Sequence, residues 1–325
     1  MPANLGGRAI AAFAVIAGVV TLTFFLLHAA PGDPAEHLLG PTATPAQLAA
    51  GRRALGLDQP LGAQFAAWIE NAARGDWGVS TASGRPVREL LAAAWPPTAW
   101  LIGLSLVLSY LVGVAIGVGQ SARAGSRTDT AVSIVTVTLA AVPGYWLGLM
   151  LVVLCSYGLR ALPAFGAAGL DADLLTGWSR IADTLRHLAL PLATLTLIGA
   201  GGVARFARGA MLETASLPFV TTARAKGAGP GRVLLRHMLR NALTPIVTLL
   251  GLSLPALFSG AVFVEAVFAW PGVGRVLVEG VRARDYPVVM AATTVSAVLV
   301  VAGNLLADLL ATWIDPRVRH RSPAP

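Results

Sequence analysis

The decapeptide Pro218-Phe-Val-Thr-Thr-Ala-Arg-Ala-Lys-Gly227 lies near the centre of a basic segment, residues 205–245, between two long apolar runs. This segment contains seven Lys or Arg residues and one acid, and Lys226 is the only lysine of the chain. Basic loops of membrane proteins tend to stay on the cytoplasmic side. The segment is longer than a simple connector, and its residues favour a helix. These features predict a cytoplasmic, helix-bearing loop that docks on a soluble partner.

The composition is that of a protein built into a membrane. Of the 325 residues, 55% are hydrophobic and only 12% are charged, and the mean hydropathy is +0.69. Soluble domains carry about 25% charged residues. A transmembrane helix needs about 20 apolar residues, and six runs reach this length: 9–28, 98–122, 130–159, 185–204, 245–268 and 288–314. The sequence predicts an all-α, polytopic integral membrane protein with six transmembrane helices, of which the third is long enough to tilt or to end in an interfacial turn.

The distribution of charge orients the six predicted helices. An even number of crossings places both termini on one side of the membrane. If that side is the cytoplasm, the N-terminus, residues 123–129, residues 205–243 and the C-terminal tail carry 13 Lys or Arg residues against four acids, counting Asp308 and Asp315 at the end of the last run. The opposite side then carries 11 basic and 12 acidic residues. Because basic loops are retained in the cytoplasm, the sequence predicts an N-in, C-in, multi-pass protein of the cell membrane.

The chain divides into parts at the ends of the apolar runs. The first run is too long for the core of a signal peptide and has no small-residue cleavage site after it, so a retained helix is expected. In the following loop, Thr44 and Gln47 fit a helix cap, and Phe65, Trp68 and Ile69 share one face of a second helix. That face rests either on the membrane interface or on the helix bundle. The predicted parts are a first transmembrane helix (1–30), an extracytoplasmic helical loop (31–96), a five-helix core (97–314) containing the cytoplasmic loop 205–243, and a cytoplasmic tail (315–325).

The sequence lacks the patterns that catalysis, cofactors or metals require. A nucleotide-binding P-loop needs Gly-Lys followed by Ser or Thr, whereas Lys226 is followed by Gly227. Cys155 is the only cysteine, so no disulfide forms within one chain. The net charge of +8 comes mostly from arginines spread over short loops without interleaved aromatics, which favours contact with anionic lipid over nucleic acid. Zinc-ligand spacing is absent because the histidines lie in separate segments: His28, His37, His187, His237 and His320.

Two glycine patterns predict close helix packing. Gly113 and Gly117 are four residues apart within an apolar run, the spacing of a small-residue helix contact in lipid. The stretch from Gly199 to Ala204 weakly resembles a dinucleotide fingerprint. It closes an apolar helix instead of opening one after a strand, so helix packing explains it better.

Two acids lie close to the predicted membrane. Glu265 is near the outer end of the fifth apolar run, and Asp308 is near the inner end of the sixth. Intramembrane acids mark ion or proton paths, but no ionisable residue lies in the middle of a run. Both acids fit groups paired with arginine or water. An ion-coupled secondary carrier that uses them in a relay is the alternative function, and a polytopic membrane enzyme is a third.

Many separate motifs resemble a known family. The chain is similar, almost from end to end, to the permease subunits of binding-protein-dependent ABC importers of the dipeptide, oligopeptide and nickel type. The resemblance rests on these motifs together and in this order: Pro31-Gly-Asp-Pro34, Leu55-Gly-Leu-Asp-Gln-Pro60, Gly75-Asp-Trp-Gly-Val-Ser80, Ala141-Val-Pro-Gly-Tyr-Trp146, Thr222-Ala-Arg-Ala-Lys-Gly227, Arg236-His-Met-Leu-Arg-Asn-Ala-Leu-Thr-Pro245, Val264-Glu-Ala-Val-Phe-Ala-Trp-Pro-Gly-Val-Gly274, Arg284-Asp-Tyr-Pro287, Asn304-Leu-Leu-Ala-Asp308 and Asp315-Pro-Arg317.

The resemblance assigns a role to the decapeptide. In that family the corresponding loop carries the EAA motif, whose coupling helix docks on the ATPase. Pro218 suits a helix start with Ser216 as its cap, and Gly227 suits a left-handed terminal residue. Thr221 stands where the wider family has glutamate, which fits the peptide-type branch. The residues expected to couple to the ATPase are Phe219, Val220, Thr221, Thr222, Ala223, Arg224, Ala225, Lys226 and Gly227, with Phe219, Val220 and Ala223 forming one apolar knob.

The resemblance also implies an activity and partners. It implies the type I ABC importer transmembrane fold and half of a translocation path for peptides, with nickel or another small solute as the alternative. The chain itself would not be an enzyme and would hold no cofactor, because ATP and magnesium bind to the ATPase subunits. The implied partners are a second permease subunit, two ATPase subunits or one fused ATPase, an extracytoplasmic solute-binding protein and membrane lipid.

Overall fold

The computed structural model describes residues 5–314 except residues 31, 33, 41 and 55. The predicted tail, 315–325, with its Asp315-Pro-Arg317 motif, lies outside these residues. The described residues form α1 (Leu5–Ala29), α2 (Pro34–Leu39), α3 (Pro45–Ala54), α4 (Leu61–Ala73), α5 (Val87–Ala122), α6 (Arg127–Ala141), α7 (Gly144–Leu151) with a π-helical continuation (Val152–Gly158), a 3-10 turn (Ala172–Leu174), α8 (Gly177–Ala215), α9 (Pro218–Ala225), α10 (Pro230–Arg232) with a π-helical continuation (Val233–Leu239), α11 (Arg240–Val267), α12 (Val273–Arg282) and α13 (Tyr286–Ile314). The prediction of an all-helical protein is confirmed.

Several of these helices are long and apolar enough to cross a membrane. Four qualify singly within the described residues: Ala9–Ala29, Val87–Ala122, Gly177–Ala215 and Tyr286–Leu305. Arg127–Ala141 and Gly144–Gly158 qualify only as a pair, which gives up to five spans. The fifth predicted run lies in α11, where Pro255–Val267 is a shorter apolar helix. Four or five spans are therefore found, and the sixth stays a prediction.

The third predicted run is broken instead of continuous. Its two halves, α6 and α7, meet at an angle of 107°. At the break Val142 has extended backbone angles (φ −73°, ψ 131°), and Pro143 follows it. Proline has no N–H for a helical hydrogen bond and its ring disfavours a helical residue before it. The motif Ala141-Val-Pro-Gly-Tyr-Trp146 thus marks a bend within the run.

The chain separates into two compact units. One unit contains Met1–Thr98 and Pro271–Val301, and the other contains Ala99–Trp270 and Ala302–Pro325. The predicted division of the chain at residues 96 and 97 stays a prediction. Residues 271–301, which the sequence placed in the five-helix core, group with the N-terminal part.

In the first unit, hydrogen bonds join two of the sequence motifs to each other. The Ser80 hydroxyl donates to Oδ2 of Asp285 at 2.5 Å, and both residues are buried. The backbone N–H of Ala82 donates to the same oxygen at 3.2 Å. Asp285 lies at the start of α13, where its carboxylate also accepts from the N–H of Val288 at 3.4 Å. The motifs that contain Ser80 and Asp285 are therefore fixed to each other through one buried carboxylate.

The helices α3 and α4 belong to this unit. The predicted cap of α3 is confirmed, since the Thr44 Oγ1 accepts from the N–H of Gln47 at 3.3 Å and the Gln47 Oε1 accepts from the N–H of Thr44 at 2.8 Å. In α4, Phe65 and Trp68 pack against a cluster of Val20, Phe24 and Met290. Phe65 and Trp68 of the predicted apolar face thus rest on other helices of their own unit, whereas Ile69 is exposed.

The second unit is built on close contacts between α5, α6 and α8. A methyl group added at Gly113 would lie 2.6 Å from Cβ of Val203, and one added at Gly117 would lie 2.7 Å from the carbonyl oxygen of Ala204. One added at Gly201 would lie 2.7 Å from the carbonyl oxygen of Thr136 in α6. Both glycine patterns therefore serve helix packing, as the sequence predicted.

Of the two acids near the predicted membrane ends, only Glu265 has a side chain that the structure describes. Glu265 is fully buried in the last turns of α11. The side chain of Asp308 lies outside the described residues, so its predicted pairing stays a prediction.

Candidate functional site

The short helix α9 begins without a side-chain cap. Pro218 occupies its first position, where a missing N–H costs nothing, and Leu217 precedes it with extended backbone angles (φ −76°, ψ 144°). The prediction that Ser216 caps α9 was wrong. Its hydroxyl donates to the carbonyl of Glu213 at 2.7 Å, because α8 extends as far as Ala215 and Ser216 completes the last turn of that helix.

The end of α9 is a Schellman motif. Gly227 has the left-handed φ of 81° that the sequence predicted. The N–H of Gly227 donates to the carbonyl of Arg224 at 2.9 Å, and the N–H of Ala228 donates to that of Ala223 at 3.1 Å. This pair of hydrogen bonds satisfies the last carbonyls of the helix. A side chain at Gly227 would meet open space within the subunit, so the requirement for glycine here is conformational.

The predicted apolar knob of α9 is divided between its two faces. Val220 is fully buried and packs in a cluster with Ala207 and Met211 of α8 and with Val233 and Met238. It therefore anchors α9 to its own subunit. The remaining predicted residues are exposed or half-exposed: Phe219, Thr221, Thr222, Ala223, Arg224, Ala225, Lys226 and Gly227.

The surface around α9 is positively charged. Five exposed basic side chains lie on α9 or between α9 and the start of α11: Arg224, Lys226, Arg232, Arg236 and Arg240. An anchored helix with an exposed basic face can bind a partner that carries acidic groups. The geometry thus supplies a docking element but no catalytic group.

An ion pair with a buried carboxylate joins α6 to α8 in the same unit. Nε of Arg208 donates to Oδ1 of Asp129 at 2.8 Å, and Nη2 donates to Oδ2 at 2.7 Å. Asp129 is in the first turn of α6, which Ser126 caps, while Arg208 is in α8. The sequence treated both charges only as indicators of topology. The Ser-x-x-Asp spacing of a helix start was the available signal for Asp129, and no local signal paired it with Arg208.

A cavity of about 810 Å³ runs alongside α8 in the same unit. Residues of α5, α8 and α11 line it, together with Ala140 and Gly144 on either side of the break between α6 and α7. Much of the lining is small or apolar. Its polar residues are Ser109, the charged residues Arg205 and Glu213, and Tyr110 and Ser253, whose hydroxyls share a hydrogen bond of 2.8 Å. Among the described residues no group of His, Cys, Asp and Glu could hold a metal ion.

Comparison with known proteins identifies the family. A family model described as "binding-protein-dependent transport system inner membrane component" matches residues 109–320, and the model for the N-terminal part of such components matches residues 3–94. The chain belongs to this family. Together with the apolar helices, membership makes it a multi-pass inner membrane permease subunit.

Relatives of known name match over nearly their whole length. The oligopeptide transport system permease protein AppB of Bacillus subtilis is 36% identical over 321 residues, covering 98% of this chain and 100% of that protein. The probable D,D-dipeptide transport system permease protein DdpB of Escherichia coli is 40% identical over 318 residues, covering 94% of each chain. The glutathione transport system permease protein GsiC of Salmonella typhi is 38% identical over 303 residues, covering 93% of this chain and 94% of that protein.

The fold also matches a solved structure. A chain from the crystal structure of an amino acid ABC transporter with histidines has a TM-score of 0.50 at 14% identity, covering 70% of this chain and 94% of the other. This likeness concerns the fold alone. All the named relatives are permease subunits, so the predicted family is confirmed and the secondary carrier is not favoured.

Proposed function

We propose that this permease is one of two membrane subunits of an ATP-driven importer of di- and oligopeptides. The observation that carries the proposal is the similarity over 93% or more of the chain to permeases named for oligopeptides, D,D-dipeptides and glutathione. These solutes share a peptide or peptide-like backbone. A solute-binding protein delivers the peptide outside the membrane, and separate ATPase subunits bind ATP and magnesium.

The orientation that this function needs is N-in, C-in with six spans. The charge difference between the two sets of loops supports it, as does the concentration of exposed basic residues around α9. In this orientation α9 faces the cytoplasm, where the ATPase subunits lie. Residues 31–96 then face outward, toward the binding protein.

The residues that line the cavity beside α8 form the wall that this subunit contributes to the translocation path. Its volume of about 810 Å³ falls in the range of small-molecule sites, roughly 300–1,000 Å³. Its small and apolar lining suits a path that accepts varied peptide side chains, while the Tyr110 and Ser253 hydroxyls offer hydrogen bonds to a peptide backbone. A second permease subunit closes the opposite side.

Alternating access follows from the way α9 is attached. ATP-driven closure of the two ATPase subunits displaces the exposed face of α9. Because Val220 is packed against Ala207 and Met211, this displacement moves the end of α8. The same helix lines the cavity. Movement of α8 therefore changes the wall of the path, and the permease alternates between openings to the two sides.

Uptake by reconstituted vesicles tests the proposal. With the second permease, the ATPases and the binding protein present, we expect labelled dipeptide to enter vesicles that contain ATP on the ATPase side. Vanadate should abolish uptake and an uncoupler should not, since the driving reaction is ATP hydrolysis. This subunit alone should hydrolyse no ATP. Uptake that stops with the uncoupler and persists with vanadate would instead establish an ion-coupled carrier.

A further inference from the structure

In the Asp129–Arg208 pair the carboxylate of Asp129 is buried and fully hydrogen-bonded, whereas the Arg208 side chain is partly exposed. Only 4% of the Asp129 surface is exposed. Besides the two bonds from Arg208, its carboxylate accepts from the N–H of Gly125 at 3.0 Å and from Nε2 of Gln120 at 3.3 Å. A carboxylate has about four acceptor positions, so four donors from α5, the α5–α6 turn and α8 fix it in place. Bidentate pairs of this kind are also geometrically specific.

A second contact joins α6 to α8 along their length. At Gly201 of α8 the backbone of α6 approaches so closely that an added methyl would lie 2.7 Å from the Thr136 carbonyl oxygen and 3.6 Å from Cβ of Ala140. Gly201 lies seven residues before Arg208, about 10 Å along a helix. The two helices are thus joined at two points along their length.

The ion pair is also adjacent to the anchor of the docking helix. Ala207, next to Arg208 in the chain, packs in the same cluster as Val220 of α9. At its other end α6 reaches the break at Val142, where Ala140 and Gly144 line the cavity. The ion pair thus joins two helices, α8, which packs against α9, and α6, whose far end reaches the cavity wall.

We propose that Asp129 and Arg208 are positioning residues that make α6 follow the movement of α8 and α9. The pair transmits displacement of the docking helix to the bend between α6 and α7, and so to the wall of the solute path. The proposal rests on the proposed function, since it assumes that an ATPase moves α9. It goes further by assigning the transmission step to one ion pair. Without the pair, α8 would still move with α9, but α6 would lag behind.

The variants Asp129→Asn, Arg208→Gln and Arg208→Lys test this role. Each is assembled into the complete transporter, and dipeptide uptake and ATP hydrolysis are both measured per assembled complex. We expect Asp129→Asn and Arg208→Gln to lower the ratio of peptide imported to ATP hydrolysed by about tenfold while ATP hydrolysis stays within roughly twofold, an effect within the usual range of coupling between sites. Arg208→Lys keeps the charge but loses bidentate geometry, and should give an intermediate ratio.

Two controls separate transmission from general loss of charge. Arg127→Gln removes an exposed basic residue two positions from Asp129. Glu70→Gln breaks an exposed ion pair with Arg74 in α4. Both controls should keep the wild-type ratio.

Three outcomes are decisive. A lowered ratio with sustained ATP hydrolysis supports the proposal. An unchanged ratio in assembled Asp129→Asn and Arg208→Gln complexes overturns it, and so does a parallel fall of uptake and ATP hydrolysis per complex, which would reveal a merely structural pair. If those two variants do not assemble, the ratio for Arg208→Lys decides in the same way. Failure of the wild-type complex to import dipeptide with ATP would refute the proposed function instead.

Discussion

Replacing Ala223 with Glu or Gly227 with Asp should abolish peptide-stimulated ATP hydrolysis and uptake while leaving the permease inserted in the membrane. Gly227 is exposed and Ala223 is half-exposed, and the proposed function places this helix against the ATPase. An unpaired carboxylate buried at an interface costs several kcal/mol, and each 1.4 kcal/mol is about tenfold. We therefore expect a loss of about 100-fold. The measurements are permease level, co-purification with the ATPase, and ATP turnover.

The subunit itself should tolerate the Gly227 variant. A side chain at Gly227 meets open space in the subunit. The left-handed backbone costs a non-glycine residue about 1–2 kcal/mol. Gly75 provides a matched control, because it has φ 79° and equally open surroundings. Gly75→Asp carries the same strain and charge in the loop that we place outside, so it should transport normally. Equal transport by all three variants would remove α9 from the coupling mechanism.

Replacing Gly117 with Val should destabilise the packing of the second unit. An added Cβ would lie 2.7 Å from the Ala204 carbonyl oxygen and 2.7 Å from Cβ of Ala207, and the former is backbone that cannot rotate away. Overpacking costs about 1–3 kcal/mol and sometimes more, and we expect about 3 kcal/mol here, measured as a loss of thermal stability in detergent and of permease in the membrane.

Gly119 is the control for this prediction. It lies two residues further along α5, and an added methyl there meets nothing within 4 Å. Gly119→Val should therefore accumulate and melt like the wild type. If Gly117→Val also does so, the α5–α8 contact is not as close as the structure shows.

Much of the fold and part of the site could be predicted because the signals were local. The Pro218 start and Gly227 end of α9 depend on proline and glycine backbone preferences, which act within one helical turn. The glycine pair in α5, Gly113 and Gly117, has a spacing that already implies helix contact. The capping residues Thr44 and Gln47 are likewise three positions apart, and all of these features are found in the structure.

The remaining features depend on which segments meet in space. Asp129 and Arg208 are 79 residues apart, and Ser80 and Asp285 are 205 apart, so neither pair has a local signature. Whether Val220 faced a partner or its own subunit depended on the position of α8 beneath it. These features needed tertiary structure, since periodicity alone cannot say what each face of a helix contacts.

Cross-linking from α9 to the ATPase is the most direct test of the central claim, that this helix connects the permease to its motor. A photoreactive side chain at Thr221, an exposed position of α9, is compared with one at Leu174, which is 84% exposed in the turn before α8. In the assembled transporter we expect an ATPase adduct from position 221 and none from position 174. That result would also place the loop 205–243 in the cytoplasm. An adduct from position 174 with none from position 221 would contradict both the orientation and the role of α9.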